Sequence, residues 1–295
     1  MDENLTIRPL VLGAEGLLGR ALTAALEDRY PFTVSAGRTE LDVTDRWRLE
    51  AELLRLQPTV VLNCAAVADV DACESDPDRA RRVNAEAPAH LAAMCRDAGV
   101  RVVHFSTDYV FDGAKRAPYD EADAPNPLNV YGRTKLEGEM GVLETHADAL
   151  VVRVSFVFGA GRTTFLDKIV GLARASREPI PALDSWTIRP TALQDAVDAT
   201  LALLASDATG LWHVAGKPAV TRLGFARELL RLIGDDPARA VALPPESLKL
   251  AAPRPAYSVL STARFEARFG PLRPWTAGAR EYLGLPPAAP GEDPS

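Results

Sequence analysis

A tyrosine and a lysine lie four residues apart in the stretch NPLNVYGRTK, which runs from Asn126 to Lys135. Residues at positions i and i+4 share one face of a helix, so Tyr131 and Lys135 would meet the same ligand. A phenol has an unperturbed pKa of about 10, too high for efficient proton exchange near pH 7, and a nearby ammonium lowers it. The spacing predicts that Tyr131 is a general acid tuned by Lys135. A surface pair on an amphipathic helix is the alternative.

Two hydroxyl groups that could orient a substrate follow an apolar run. The segment RVVHFSTD, residues 101–108, predicts a strand that ends near Ser106 and Thr107. Open α/β sheets build their sites at the carboxyl ends of the strands. We therefore expect these two hydroxyls to lie beside Tyr131 and to orient the group that it protonates.

A glycine-rich turn follows the first apolar run of the chain. Gly13, Gly16 and Gly19 have the spacing GxxGxxG between the predicted strand PLVLG and a helix that opens with Leu17 and Leu18. The first glycine permits a tight turn, the second lets the backbone approach a pyrophosphate, and the third lets the helix pack closely on the sheet. The helix N-terminus then offers free N–H groups and a positive dipole end to phosphates. The turn predicts a dinucleotide site that includes both leucines.

The end of the second predicted strand bears on which nucleotide is bound. In SAGRTELDVTD, Arg38 stands where an acidic residue would bind the ribose 2′-hydroxyl of NAD. A guanidinium there suits a 2′-phosphate in charge and in bidentate geometry. We expect NADP(H) as the preferred cofactor, with Asp42 and Val43 at the adenine. NAD(H) remains an alternative, as does a plain surface arginine at position 38.

With a nicotinamide cofactor, the chemistry that fits Tyr131 and Lys135 is reduction of a carbonyl group. Hydride transfer places negative charge on the carbonyl oxygen, and the phenol then supplies a proton. Lys135 would also hold the hydroxyls of the nicotinamide ribose.

The elements that would position these residues alternate along the first half of the chain. Apolar runs, such as 9–13, 59–66 and 149–159, alternate with amphipathic stretches such as 17–28 and 78–99. Continuous apolar runs between helices indicate parallel strands buried on both faces, whereas antiparallel strands would show period-two patterning. Right-handed crossovers then place helices on both sides of the sheet. The predicted fold class is α/β, with a doubly wound parallel sheet.

The second half of the chain is less regular. Its predicted elements are a strand over 210–216 and helices over 163–176, 192–206 and 221–234. Prolines crowd residues 237–255, which favours extended, turn-rich chain.

These elements suggest a division into two parts. We expect a nucleotide-binding domain over 1–158, to which 188–215 returns, and a substrate-binding lobe over 159–187 and 216–285. The end of the chain, 286–295, has no apolar period and is expected to be disordered.

Composition argues against several classes of function. The 295 residues are 47% hydrophobic and 25% charged, with a net charge of −7 and no block of like charge, so nucleic acid is not an expected partner. No apolar run approaches the ~20 residues of a membrane span, and MDENLTIRPL lacks the pattern of a signal peptide. Because the cysteines form no CxxC and the histidines no HExxH, we expect reduced thiols, no metal and a cytoplasmic location.

Eight segments of the chain together match one known family. In chain order over roughly residues 8–283 they are GAEGLLGRAL, LDVTD, VVLNCAAVADVDACESDP, VNAEAPAHLA, VVHFSTDYVFDG, DAPNPLNVYGRTKLEGE, RVSFVFG and RPAYSVLST. The sequence thereby resembles the extended short-chain dehydrogenases/reductases, and within them the dTDP-4-dehydrorhamnose reductase family. The resemblance implies a Rossmann-type domain with a small C-terminal lobe. It also implies reduction of the 4-keto group of a nucleotide-linked 6-deoxyhexose, such as dTDP-4-dehydrorhamnose, in the cleft between them.

The resemblance also assigns residues to the reaction and to the cofactor. It implies that Tyr131 is the proton donor, that Lys135 is its helper, and that Thr107 is the hydroxyl member of the catalytic set. The residues that it places against the cofactor after the third strand are Cys64, Ala65 and Ala66.

Substrate contacts follow from the same resemblance. It implies that Asp108 and Tyr109 border the sugar beside Ser106, and that Arg254 lies near the nucleotide diphosphate. For Arg254, a surface position in a proline-rich loop is the alternative.

Three positions depart from the family pattern in the expected pocket wall. After NCAA the family usually has Tyr-Thr where this chain has Val67 and Ala68, and Phe156 stands in RVSFVFG where tryptophan is common. We expect all three to face the sugar, where each change would alter substrate discrimination by about 1–3 kcal/mol. Some members bridge a dimer with magnesium through a glutamate of the first helix. Ala21 stands at that position, so no metal is expected. The expected oligomeric state is a monomer or a homodimer.

Two other functions remain open from the sequence. The family includes a noncatalytic relative, the regulatory subunit of methionine adenosyltransferase, in which Tyr131 and Lys135 would serve ribose binding alone. Pull-down of a partner enzyme without NADPH consumption on any ketosugar would favour this function. A nucleotide-sugar epimerase that retains its NAD is the second alternative, and tightly bound stoichiometric NAD would favour it. Arg38 opposes the epimerase.

Overall fold

The computed structural model describes residues 7–247 and 249–288, apart from the side chain of Pro245. The strands are β1 (Pro9–Leu12), β2 (Val34–Ala36), β3 (Val60–Asn63), β4 (Arg101–Thr107), β5 (Leu150–Val154), β6 (Val157–Phe158), β7 (Ile180–Leu183), β8 (Thr187–Ile188), β9 (Thr191–Ala192), β10 (Gly210–Val214), β11 (Val220–Thr221) and β12 (Ala240–Leu243). The α-helices are α1 (Leu17–Glu27), α2 (Arg46–Leu56), α3 (Val70–Ser75), α4 (Pro77–Arg81), α5 (Ala87–Asp97), α6 (Val130–Thr145), α7 (Phe165–Ala175), α8 (Leu193–Leu204), α9 (Arg222–Leu232), α10 (Ala263–Phe269) and α11 (Trp275–Tyr282). The predictions for the start of the chain and for most of its tail fall on residues 1–6 and 289–295, outside the described residues.

A parallel sheet of six strands confirms the predicted α/β fold class. Its order is β10-β5-β4-β3-β1-β2, and each pair of neighbours is parallel. The chain passes from β1 outward to β2 and then returns to place β3 on the other side of β1, so the order reverses between β1 and β3. Ligands of open α/β sheets bind outside the carboxyl ends of the strands at such a switch point. Gly13 and Cys64, which directly follow these two strands, therefore lie where a ligand is expected.

Apolar side chains cover both faces of the sheet. Leu10 joins a cluster with residues of α2 and α5, whereas its neighbour Val11 joins a second cluster with residues of α1 and α8. Successive side chains of a strand point to opposite faces, so a strand covered on both faces is apolar throughout. This is the physical reason for the continuous apolar runs of the first half. Among the described helices, none combines the length and the apolar character that crossing a membrane requires.

A further core lies outside this sheet, in the second half of the chain. Its buried residues come from β6, α7, β7, α9 and α11, and include Phe158, Leu166, Ile180, Leu229 and Trp275. Helices α7 and α9 pack together and against the parallel pair β7 and β12. The domain boundaries given above stay predictions.

The segment 149–159, expected as one strand, is divided at Ser155 and Phe156. Phe156 has a φ of +44°, in the left-handed region that residues other than glycine rarely adopt. The chain bends there, so β6 leaves the sheet and pairs with β9. The Thr191 hydroxyl donates a hydrogen bond to the Ser155 carbonyl oxygen at 2.6 Å and holds the bend. The prediction of one strand was wrong because a local apolar run does not show where the backbone turns.

Candidate active site

The glycine turn brings the end of β1 against the end of β3. Gly13 has a φ of +71°, and a Cβ atom there would lie 2.5 Å from the backbone nitrogen of Ala65. A Cβ atom on Gly19 would lie 2.3 Å from the carbonyl oxygen of Gly13. Gly16 is the N-cap of α1, and no side chain of the described residues caps this helix. The first N–H groups of α1 are therefore available to a phosphate.

A groove over the switch point, here called the outer cleft, contains the residues expected to bind the adenosine part of the cofactor. The predicted residues that line it are Gly13, Gly16, Arg38, Asp42, Val43, Cys64, Ala65, Ala66 and Val67. The Arg38 side chain is 65% exposed and pairs with Asp42, with 3.3 Å between Nε and Oδ2. A second carboxylate, that of Glu15, lies against Gly37 and lines the same cleft. Sequence reasoning missed Glu15, although it stands within the glycine motif.

The groove continues into an inner cleft of about 440 Å³. The predicted site residues in its wall are Gly16, Leu17, Leu18, Cys64, Ala65, Ala66, Ala68, Ser106, Thr107, Asp108, Tyr131, Lys135 and Phe156. The remaining residues of the wall were not predicted as site residues and are Phe105, Val154, Val157, Phe158, Arg162, Thr163, Thr164 and Phe165. Because the two clefts share Gly16 and residues 64–66, an extended ligand could occupy both.

Capping contacts at the start of α6 hold Tyr131 at the inner cleft. The Asn129 side chain accepts a hydrogen bond from the Gly132 backbone nitrogen at 2.8 Å, and Glu74 Oε1 accepts one from the Val130 nitrogen at 2.8 Å. Tyr131 lies in the first turn of this helix. An N-cap of this kind is worth about 1 kcal/mol, and here it also orients the phenol.

Lys135 is buried, with 3% of its surface exposed. Its Nζ atom donates a hydrogen bond to the Phe105 carbonyl oxygen at 2.6 Å and lies 3.3 Å from His104 Nε2. Burial lowers the pKa of Lys135 to about 8, and the carboxylate of Glu139 opposes this effect. His104 is itself buried, and burial holds its pKa well below the usual value, so the ring is neutral.

The pKa of Tyr131 differs from the expectation. Burial raises it, and a hydrogen bond with the Thr107 side chain only partly offsets this effect. The expected lowering by the Lys135 ammonium is not among the main effects on this pKa, and that ammonium donates a hydrogen bond to the Phe105 carbonyl oxygen. The phenol is therefore protonated at neutral pH, which is the form that a general acid requires.

A buried carboxylate orients the Thr107 hydroxyl. Asp108, 5% exposed, accepts hydrogen bonds from Thr107 Oγ1 at 3.1 Å and from Ser155 Oγ at 3.0 Å. Burial raises the pKa of Asp108. The neighbouring Ser106 Oγ is buried without a hydrogen-bond partner among the described residues, although it belongs to the wall of the inner cleft. An unpaired buried hydroxyl costs about 1–3 kcal/mol, which a ligand in the cleft would relieve.

Three residues expected at the substrate lie outside the inner cleft. The backbone of Val67 is bonded to Asn84, and its side chain packs with Cys73 and Val130 and lines the outer cleft. Val67 was expected beside Ala68 at the sugar, but the structure does not place it in the wall of the inner cleft. The other two residues are Tyr109 and Arg254.

Tyr109 and Arg254 form a layer behind Tyr131. The Tyr109 and Tyr131 rings are 5.9 Å apart, edge to face. Arg254 makes a bidentate ion pair with Asp71, with both N–O distances at 2.7 Å, and also contacts the Tyr109 hydroxyl. The surface alternative for Arg254 is wrong, because its side chain is only 11% exposed.

The structure also shows supporting residues that sequence reasoning missed. Glu139 follows Lys135 by four residues and makes a buried, bidentate ion pair with Arg153, at 2.9 and 2.6 Å. Asn84, also buried, bonds the loop after β3 to Thr134 of α6. The i+4 spacing from Lys135 could have indicated Glu139, whereas nothing local marks the partner of Asn84.

The histidine, cysteine and acidic side chains of residues 7–247 and 249–288 form no group that could hold a metal ion. Ala21, the position compared with a metal-bridging glutamate, lines a separate cavity with Arg273 and Tyr282.

Comparison with known proteins agrees with this geometry. A family model described as the RmlD substrate binding domain matches residues 7–285. A dTDP-4-dehydrorhamnose reductase of Streptomyces griseus is 41% identical over 283 residues, 93% of this chain and 92% of that protein. A dTDP-4-keto-6-deoxy-D-glucose reductase of Streptomyces niveus is 38% identical over 283 residues, 95% of this chain and 98% of that protein.

A solved structure shows the same fold with a cofactor. The dTDP-4-dehydrorhamnose reductase of Bacillus anthracis, in complex with NADP, has a TM-score of 0.88 and 27% identity, and the match covers 94% of this chain and 98% of that one. Since the family model and these relatives match nearly the whole length, the chain belongs to the dTDP-4-dehydrorhamnose reductase family.

Proposed function

We propose that this protein reduces the 4-keto group of a dTDP-linked 6-deoxyhexose with NADPH. The observation that carries the proposal is the position of Tyr131, beside Thr107 in an inner cleft that continues into a dinucleotide groove. The relatives from Streptomyces griseus and Streptomyces niveus are named as reductases of such sugars. The choice between dTDP-4-dehydrorhamnose and a related ketosugar rests on the wall around Ala68 and Phe156.

The residues fit a dinucleotide. A side chain at Gly13 or Gly19 would fill the turn. Within residues 7–247 and 249–288, the N-terminal N–H groups of α1 have no side-chain cap, and the Ser106 hydroxyl at the inner end has no hydrogen-bond partner. Arg38 supports NADPH, whereas Glu15 and Asp42 place carboxylates near the same pocket and leave NADH as the alternative. When bound, the cofactor would supply the hydride.

The protein's own groups supply the rest of the reaction. Thr107, whose hydroxyl is oriented by Asp108, positions the carbonyl oxygen, and Tyr131 gives that oxygen a proton as negative charge develops. Lys135 binds the nicotinamide ribose through the one N–H of its ammonium that Phe105 and His104 do not occupy. A charged Lys135 drawn towards the ligand would then lower the pKa of Tyr131, which burial alone raises.

Substitution of Tyr131 by phenylalanine tests this mechanism. We expect kcat for NADPH oxidation with a dTDP-4-keto-6-deoxysugar to fall by at least about 100-fold, because general-acid catalysis contributes about 10²–10⁴-fold. The dissociation constant of NADPH should stay within about threefold, since the aromatic ring and Lys135 remain. Tyr30→Phe, which removes a hydroxyl after α1, is the matched control.

Two outcomes of these assays would contradict the proposals. Near-normal turnover by Tyr131→Phe would remove Tyr131 as the proton donor. If the unaltered protein consumes no NADPH with any such ketosugar, the proposed function itself fails. NMR of each product would give the configuration at C4. A cytoplasmic location and a monomeric or homodimeric state stay predictions from the sequence.

A further inference from the structure

Arg222, the first residue of α9, is a half-buried cation that has no ion-pair partner among the described residues. Its Nε atom is buried and makes no hydrogen bond within the described part of the chain. Burial lowers the pKa of this guanidinium from its usual value. A buried charge is normally paired, because removing it from water is costly. Arg222 therefore resembles one half of a pair whose other half is not part of the folded chain.

Aromatic rings surround this guanidinium. Its Cζ atom lies 4.9 Å from the centre of the Trp186 ring and 5.3 Å from the centres of the Phe156 and Phe165 rings. Such rings stabilise a cation over their faces but accept no hydrogen bonds in the plane of the guanidinium. The rings thus fix the place of Arg222 and leave its N–H groups without an acceptor.

The position of Arg222 relates it to the inner cleft. Phe156 and Phe165, which contact it, both line that cleft. Arg254 is close enough to add to the lowering of the Arg222 pKa, and the Tyr109 hydroxyl interacts with both arginines. Asp108 also acts on Arg222 through its charge, but its oxygens are already bonded to Thr107 and Ser155. Two guanidinium groups therefore act on each other behind the catalytic residues, and within the described part of the chain only Arg254 of the two is paired with a carboxylate.

We propose that Arg222 binds the diphosphate of the nucleotide-linked substrate, an inference that rests on the proposed function. In a 4-ketohexose the reacting carbon and the carbon that carries the diphosphate lie at opposite ends of the sugar ring. With C4 at Tyr131, a diphosphate that leaves the cleft on the side of Phe156 and Phe165 would reach Arg222. A planar guanidinium suits the bidentate recognition of phosphate oxygens.

The ligand would also explain the arrangement of the arginines. A diphosphate brings negative charge that can be shared by Arg222 and Arg254, and so removes the repulsion between them. In this scheme Phe156 has two roles, since one ring forms the sugar wall and holds the guanidinium. A substitution of Phe156 that changes the preferred sugar would then also change the affinity for the nucleotide.

Binding of dTDP, dTMP and thymidine to the full chain tests the proposal by calorimetry at saturating NADP⁺. We expect Arg222→Gln to weaken dTDP by about 10- to 100-fold, the usual range for a hydrogen bond to a charged group, and to raise KM for the ketosugar similarly while kcat is retained. Thymidine should bind both proteins equally. Arg177→Gln, which removes an exposed arginine paired with Asp235, should bind dTDP as the unaltered protein does.

Each other outcome overturns the proposal. If Arg222→Gln and the unaltered protein bind dTDP with equal affinity, Arg222 does not bind the diphosphate, and the proposed function still stands. An equal loss for thymidine would show that Arg222 serves the base or the fold. If the unaltered protein neither binds dTDP nor reduces a dTDP-linked ketosugar, the proposed function fails as well. Should Arg222→Gln not fold, Arg222→Met, which keeps the apolar stem against the rings, is judged by the same criteria.

Discussion

Replacing Lys135 by methionine should stabilise the protein at pH 7 in the absence of ligand, although it removes a group that the proposed mechanism requires. The buried ammonium has its pKa lowered from 10.5 to about 8. At pH 7, where it is charged in the folded and unfolded chains, this difference corresponds to a cost of about 3 kcal/mol. Loss of the hydrogen bond to the Phe105 carbonyl oxygen reduces the expected gain in stability by about 1 kcal/mol. The expected net gain is about 2 kcal/mol in the free energy of unfolding.

The sign of the pH dependence follows from proton binding. Between about pH 8 and pH 10.5, Lys135 is deprotonated in the folded protein and protonated in the unfolded chain. The unfolded chain then binds more protons, so the stability of the unaltered protein rises with pH over this window. Methionine does not titrate. The advantage of the variant is complete below pH 8 and should shrink by about 2.5 kcal/mol between pH 7 and pH 10.

Urea unfolding at pH 7 and pH 10, without cofactor, measures this difference. Lys168→Met, at an exposed position of α7, is the matched control and should change little at either pH. In parallel, Lys135→Met should bind NADPH at least about 10-fold more weakly, because its contacts with the ribose are lost. A variant less stable than the unaltered protein at pH 7, or a stability difference that does not change with pH, would refute a buried, destabilising ammonium.

Two further substitutions address the cofactor and the support of Lys135. Arg38→Ala should weaken the binding of NADPH by about 10-fold and leave the binding of NADH nearly unchanged, because only NADPH carries the 2′-phosphate. Fluorescence titration measures both affinities. Equal losses for the two cofactors would show that Arg38 does not bind the 2′-phosphate. Glu139→Gln leaves the Arg153 guanidinium buried and unpaired, so the free energy of unfolding should fall by about 3–5 kcal/mol. The exposed pair of Glu52 and Arg55 supplies the control, and Glu52→Gln should leave urea unfolding unchanged. A small effect of Glu139→Gln would show that the pair does not support the fold.

The central sheet was predictable because its information is local. Strands buried on both faces must be apolar throughout, and the turns between them need glycine or polar residues. Helix α2 was not predicted, and its first turn depends on Asp45, which accepts a hydrogen bond from the Arg48 backbone nitrogen. The short strands β7, β8, β11 and β12 were also missed, since each pairs with a segment far along the chain.

The site was predictable to the extent that its residues lie in motifs. The glycine turn, Thr107, Tyr131 and Lys135 were chosen from spacing and resemblance, and the structure brings them to one groove. The role of Val67 at the sugar stays a prediction; the structure places Val67 in the outer cleft, where Asn84, which lies between α4 and α5, bonds its backbone. The state of Lys135 was not visible either, since it depends on the Phe105 carbonyl oxygen and on burial.

The sequence by itself determined the fold class, the nucleotide turn and the pairing of a phenol with an ammonium, because backbone sterics and helical spacing act over a few residues. Only the tertiary structure decided which charges are buried and which partners they have. Lys135 beside neutral His104, Asp108 between two hydroxyls and Arg222 among three rings arise where distant segments pack together. Burial and solvation depend on that packing, so pKa values and unpaired charges are properties of the folded chain rather than of any motif.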